Sequence, residues 1–253
     1  MHAHLLEKPF IPQTLQPRSP KETLPTMYDL PSENQEESGL PDDFHYFQPQ
    51  LLRETFQPPD YSSDQVYVAS DLNLYYDVHK PHWYKRPDWF AAVGVPRLYE
   101  GQELRMSYVI WQEGVAPYVV VELLSESTEK EDLGQIVREI NKPPTKWRVY
   151  EQILRVPYYI VFSRDEDKFR IFQLIGWRYH ELEIPENRLW ISEIKLGIGL
   201  WSGNYQKITH KWLRWYDEQN NWLPTTFEKQ QKAEQRAERL ATQLRVLGIE
   251  PEV

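Results

Sequence analysis

Apolar residues along this chain come in short runs broken by prolines and glycines. At residues 45–56, Phe47, Leu51, Leu52 and Thr55 recur on one helical face and Pro58-Pro59 ends the run, so a helix is expected there. Residues 65–69, 73–77, 87–93, 104–111 and 118–124 carry strand-length signals, punctuated by Gly94, Gly101 and Gly114. After a polar stretch with Pro143-Pro144, Trp147, Tyr150 and Leu154 return at helical spacing and predict a helix over 145–155. Residues 158–163 read as a further apolar strand. Residues 169–174 and 178–184 flank Gly176 as a hairpin, and 211–216 with Trp222 predict a second one around Asn220-Asn221. This alternation of helix and strand predicts an α/β or α+β fold with a mixed sheet, and no internal repeat is evident.

The two ends differ from that body. Residues 1–43 are rich in Pro, Ser, Glu and Gln, which predicts an N-terminal arm that is partly disordered, with a short helix near 26–30. The body is expected over 44–205, a β-hairpin extension over 206–226 and a C-terminal helix within 227–253. In the helical pattern from 227 to 248, Ala233, Ala237, Leu240, Leu244 and Leu247 step by four and three. That spacing fits a short coiled-coil seam and equally an amphipathic helix docked on its own domain.

Composition narrows the class. With 253 residues, 40% of them hydrophobic, the chain can bury a sizeable core. The absence of Cys removes disulfides, thiolate zinc sites, iron–sulfur clusters and Cys nucleophiles. The best apolar run, residues 118–124, lasts one strand, so no membrane span is expected. The N-terminus meets Glu7, Lys8 and several prolines before any signal-peptide core, and the expected location is cytoplasmic. A net charge of −9 repels nucleic acid on average, yet residues 141–215 hold 13 basic against 8 acidic side chains. This leaves room for a basic face, or for an ordinary solvated surface.

Three residues break the pattern in ways that matter chemically. Glu122 sits inside the run PYVVVELLS, where both strand faces are apolar, so its carboxylate needs a cation, a metal or several donors, an Arg or Lys partner included. Asp88 opens the run WFAAVGV on the face that continues to Phe90 and Ala92. Lys146 lies four residues before Tyr150, on a stripe shared with Ile153 that borders the apolar one. Its amine either reaches inward over the sheet or stays in solvent. Two carboxylates and a lysine at one sheet edge can hydrolyse a phosphodiester: the acids hold a hard cation such as Mg²⁺, and the amine orients or helps to activate a water.

Pro87-Asp88, the segment Val-Val-Glu122-Leu-Leu-Ser125, then Ser127-Thr128 and Asp132, Lys146-x-x-x-Tyr150, and Val156-Pro157-Tyr158-Tyr159-Ile160-Val161 together resemble the Uma-two family of putative restriction endonucleases, within the PD-(D/E)XK nuclease superfamily. The resemblance runs over about residues 28–203, the leading Leu30-Pro31-Ser32 included. It implies a restriction-endonuclease-like αβββαβ core, with Asp88 and Glu122 ligating Mg²⁺ (or Mn²⁺) together with the Leu123 main-chain carbonyl and Lys146 as the catalytic lysine. The superfamily's usual lysine, two residues after the acid, is Leu124 here, so the implied lysine has moved onto the helix. Asp132 and Tyr150 are further candidates from the matching motifs. An acid from the first helix often joins such sites, and Glu54, then Glu33, are the candidates for it. The implied partner is nucleic acid, DNA first, with a homodimer through the C-terminal helix or a sheet edge.

The other expectation is a non-catalytic nucleic-acid-binding or protein-interaction module on the same fold, using the basic 141–215 segment and the tail helix. A glycan-binding β-sandwich built on the tryptophans fits the helix–strand alternation less well. There is no G-x-S-x-G elbow or Walker-A loop, and Gly197-x-Gly199 lacks a third glycine. His2 and His4 have ligand spacing on a terminal arm, whereas His79 and His82 read as surface or packing residues. Trp190, Trp201, Trp212, Trp215 and Trp222 either stack bases or sugars or fill the core.

Overall fold

The computed structural model describes residues 42–125, 128–136, 138 and 141–247. The expected helix at 26–30 and the motif residues Leu30-Pro31-Ser32 and Ser127 lie outside them, as do His2, His4 and Glu33. The chain divides into two compact units, Met1–Tyr46 and Phe47–Val253, and the second holds all the described strands. The first helix, α1 (Phe44–Thr55), starts and stops within one residue of the expected bounds. Its Leu51, Leu52 and Thr55 are buried, as the one-face pattern requires.

The main sheet has six strands in the order β1 (Val66–Ala69), β4 (Trp89–Val93), β6 (Val119–Leu123), β7 (Tyr158–Ser163), β8 (Lys168–Ile175) and β9 (Arg178–Glu181). Only β6 and β7 within it run parallel, and a parallel pair needs a long crossover. Here the crossover carries the helices α3 (Glu129–Asp132) and α4 (Lys146–Arg148). A small sheet joins β2 (Leu74–Tyr75) to β3 (Tyr84–Lys85) and β5 (Tyr108–Val109), and a third is formed by β10 (Arg188–Ile191), β11 (Leu196–Tyr205) and β12 (Ile208–Tyr216). The fold is mixed α+β, as expected.

Every residue of β6 is buried, because both faces of the sheet are covered. On one face Phe90, Val120 and Tyr159 pack against Val149 and Tyr150 from the segment after α4 and against Tyr108 of the small sheet. On the other, Trp89 meets Phe56 and Trp215, with ring centroids 5.5 and 5.9 Å apart. Gln48 of α1 is fully buried, and its amide both donates to and accepts from the Leu213 backbone (2.9 and 2.8 Å), which locks α1 onto β12.

Several elements differ from the sequence pattern. The run 104–111 forms only the two-residue β5 and then turns helical as α2 (Ile110–Glu113), which Gly114 ends in a left-handed conformation at φ 70°. The segment 73–77 shrinks to β2, while β3, β10 and β11 were not expected. The late hairpin joins β11 to β12 along their whole length, and Trp222 reaches Tyr216 only through an isolated bridge. Its two-residue turn, Gln206-Lys207, holds both residues at positive φ without the Asn-Gly pair that normally announces such a turn. Of the five late tryptophans, Trp212 and Trp215 fill core, and the other three are partly exposed.

The 145–155 helix is also modified. After α4 it widens into a π-helical stretch, Val149–Ile153, where the Leu154 N–H reaches back to the Val149 carbonyl. Lys146 and Tyr150 keep their common direction, but beyond the wide turn the predicted stripe breaks and Ile153 faces solvent.

Candidate active site

The antiparallel register of β4 and β6 places Trp89 opposite Val121 and Phe90 opposite Val120, which leaves Asp88, one residue before β4, across from Glu122. The two acids are tied reciprocally through the main chain. The Asp88 N–H donates to Glu122 Oε2 at 3.2 Å, and the Leu123 N–H donates to Asp88 Oδ2 at 2.6 Å. Glu122 is fully buried, while Asp88 is partly exposed, so the pair opens to solvent on the Asp88 side.

Two side chains from the crossover reach down to Glu122. Lys146 Nζ donates to Oε2 at 3.0 Å, and the Tyr150 hydroxyl donates to Oε1 at 2.7 Å. Their four-residue spacing puts both on the side of the helix that faces the sheet. Lys146 Nζ also lies 3.3 Å from Oδ1 of the buried Asp132, an ion pair rather than an aligned hydrogen bond. Glu122 and Asp132 thus flank one ammonium, and Asp88 adds a third negative charge nearby.

Electrostatics follow from that count. Burial, with the Asp88 charge adding to it, outweighs Lys146 and the donors and pushes the Glu122 carboxyl up to about 7. Burial and the Glu122 charge push Asp132 up to about 6, against the pull of Lys146. Burial works against the Lys146 charge, yet Glu122, Asp132 and Asp88 hold the amine well above the ordinary lysine value, so it stays protonated at neutral pH.

A further layer was not recognised in the sequence. Glu131 accepts from Lys85 Nζ (3.0 Å), from Arg138 Nη2 (2.5 Å) and from the Lys146 main-chain N–H (3.2 Å). One carboxylate therefore ties β3 to the first turn of the lysine-bearing helix. The Tyr159 hydroxyl donates to the Asp132 carbonyl at 3.0 Å and fixes the end of α3. The available signals were the adjacency of Lys85 to Pro87-Asp88 and of Glu131 to Asp132.

Gly134 sets the approach of α3 to α4. It sits at φ +69°, and a Cβ there would lie 2.8 Å from the Trp147 ring. Gly134→Ala is expected to lower stability by at least the roughly 1–2 kcal/mol of a left-handed non-glycine residue, read as a lower midpoint in thermal unfolding.

The remaining candidates fall out differently. Glu54 is not brought to this cluster: its oxygens accept from the Tyr205 hydroxyl (2.7 Å) and from the Thr226 N–H (3.0 Å). It anchors β11 and the C-terminal helix instead, through partners more than a hundred residues away that no local pattern reveals. Leu123 enters the site through its N–H. Among the described residues, no three His, Asp or Glu side chains converge closely enough to hold a metal on their own.

The model of a family described as putative restriction endonuclease matches residues 30–206. The chain belongs to this Uma2 family. Among solved structures, the Uma2 chain is similar to the crystal structure of a putative nuclease of DUF820 from Anabaena variabilis ATCC 29413. The TM-score is 0.43 at 10% identity, over 62% of this chain and 77% of that one. No curated protein matches it in sequence.

Proposed function

We propose that this Uma2 protein is a Mg²⁺-dependent endonuclease (Mn²⁺ serving equally) that hydrolyses phosphodiester bonds in DNA in the cytoplasm. The observation that carries the reading is the meeting of Asp88, Glu122 and Lys146 from three separate elements. Its partners on this reading are DNA and a second copy of the chain, through the C-terminal helix or a sheet edge. No described helix is long and apolar enough to cross a membrane.

The donor set fits a hard cation. It offers oxygen only, and three acids against one ammonium leave a negative surplus that adds to burial in raising Glu122 and Asp132. Asp88, Glu122 and the Leu123 carbonyl would be the ligands, with water completing the shell, as suits an ion that keeps several waters. A bound Mg²⁺ supplies charge stabilisation at a phosphate and a lowered pKa for a water. Lys146, held as an ammonium, donates rather than accepts, so its part is to orient a water or a phosphate oxygen. Tyr150 holds the Glu122 carboxylate in place.

The second reading, a nucleic-acid-binding or protein-interaction module without catalysis, is favoured by one observation: both Glu122 oxygens already accept protein hydrogen bonds. A plasmid-nicking assay with and without chelator separates the two. Cleavage is expected only with the divalent cation, and Asp88→Asn is expected to lower it at least about 100-fold, or roughly 2.7 kcal/mol in barrier. At a hundredfold excess over its dissociation constant, Mg²⁺ should raise folding stability by about 2.7 kcal/mol in the parent protein and not in Asp88→Asn. Cleavage that survives both Asp88→Asn and Glu122→Gln would end the endonuclease proposal.

A further inference from the structure

The C-terminal helix α5 (Thr226–Val246) is well built locally. Thr225 accepts from the Glu228 N–H, and the Glu228 side chain returns the bond to the Thr225 N–H, a complete capping box. Its hydrogen bonds and ion pairs to the body, among the described residues, come from the first turn: Thr226 to Glu54, Glu228 to Arg214 and Lys229 to Gln57. Beyond that turn only Gln231, Lys232 and Gln235 border the body, across a cleft from Trp201 and Trp222, and none of the helix's residues is buried. The docked amphipathic helix is therefore not what the structure adopts.

The apolar stripe is left in water. Leu240 is 50% exposed, Leu247 just past the helix is 73% exposed, and Ala233 and Ala237 stand open beside them. Most helical stability in proteins comes from packing an apolar face rather than from intrinsic propensity. The stripe steps by four and three, which is the 3.5-residue repeat of a supercoiled pair and suits a partner helix better than a flat surface.

We infer that α5 pairs with α5 of a second copy of the chain as a short parallel coiled coil. In heptad terms Ala233, Leu240 and Leu247 take d, and Ala237 and Leu244 take a. Lys229 then falls at g and Glu234 at e of the next heptad, five residues on, where parallel helices place them opposite each other. Two-fold symmetry makes that pair twice. Arg236 at g faces Ala241 at e, so no like charges meet across the seam. An antiparallel pair would set g against g, where the residues are Lys229, Arg236 and Gln243, and e against e, where they are Phe227, Glu234 and Ala241, and it forms no opposite-charge contact. Among the described residues, the Lys229 side chain bonds to the exposed Gln57 and the Glu234 side chain to Gln230 on its own helix. The inference rests on spacing, exposure and charge, and stands whether or not the protein cuts DNA.

Sedimentation equilibrium of the full chain, over a range of concentrations, tests it. A monomer–dimer equilibrium is expected. The double variant Leu240→Glu, Leu244→Glu should be monomeric throughout with an unchanged unfolding midpoint for the body, since neither side chain is buried. Lys229→Glu should weaken the dimer about 3- to 10-fold, as two exposed ion pairs warrant, and adding Glu234→Lys should restore it. A chain monomeric at every concentration, a dimer indifferent to the double leucine variant, or a charge reversal that is not rescued would each overturn the proposal.

Discussion

Lys146→Met is expected to cost about 3–5 kcal/mol of folding stability at pH 8, the usual penalty for removing one partner of a buried ion pair. The amine is the only cation within ion-pair distance of Glu122 and Asp132 among the described residues, and both carboxylates are fully buried. Without it Glu122 keeps the Tyr150 hydroxyl and the Asp88 N–H, whereas the Asp132 carboxylate loses its ion pair. The penalty should shrink at pH 5, below the values of about 7 and about 6 to which the two acids are raised, because neutral carboxyls no longer need the charge. Urea unfolding at the two pH values measures this directly. An equal loss at both would mean that packing of the lysine stem, and not its charge, holds the crossover to the sheet.

Glu122→Gln should have the opposite sign of pH dependence to an ordinary salt-bridged acid. Glu122 ionises near 4.5 when unfolded and near about 7 when folded. Below 4.5 both states are protonated and the group contributes nothing to the pH dependence. As pH rises through that window the unfolded chain releases the proton first, so the native protein loses stability, on the order of 3 kcal/mol by pH 8. Gln cannot titrate and keeps the neutral form's packing. The variant should therefore gain on the parent steadily from pH 5 to pH 8 in cation-free buffer, even as it loses cleavage. A constant difference across that range would show that burial does not raise Glu122.

Much of this arrangement was legible in the sequence, and what was not has physical causes. Glu122 stood out because an ionisable side chain interrupted a strand apolar on both faces. Asp88 followed from strand alternation with Phe90, and Lys146 from its spacing to Tyr150. Glu131 escaped notice because α3 reads EKED, a run of charges with no apolar period, and only the fold brings Lys85 and Arg138 to it. Strand β11 was missed because Gly197 and Gly199 weaken its pattern. Gly197 is there for a tertiary reason: a Cβ at that position would fall 1.9 Å from the Tyr216 ring that lies over it. The residues 104–111 fulfil the strand pattern only over Tyr108-Val109, since the αL turn at Gly114 closes a helical turn instead. The bonds of Glu54 could not be read locally because its partners, Tyr205 and Thr226, arrive from the far end of the chain.

The fastening of α5 through Thr226, Glu228 and Lys229 bears on how such a chain changes over evolutionary time. Past those three residues no hydrogen bond or ion pair, among the described residues, ties the tail to the sheet, so changes in one press little on the other. Descendants can lengthen the helix, trade it for another or drop it while the Asp88–Glu122–Lys146 corner passes on unaltered.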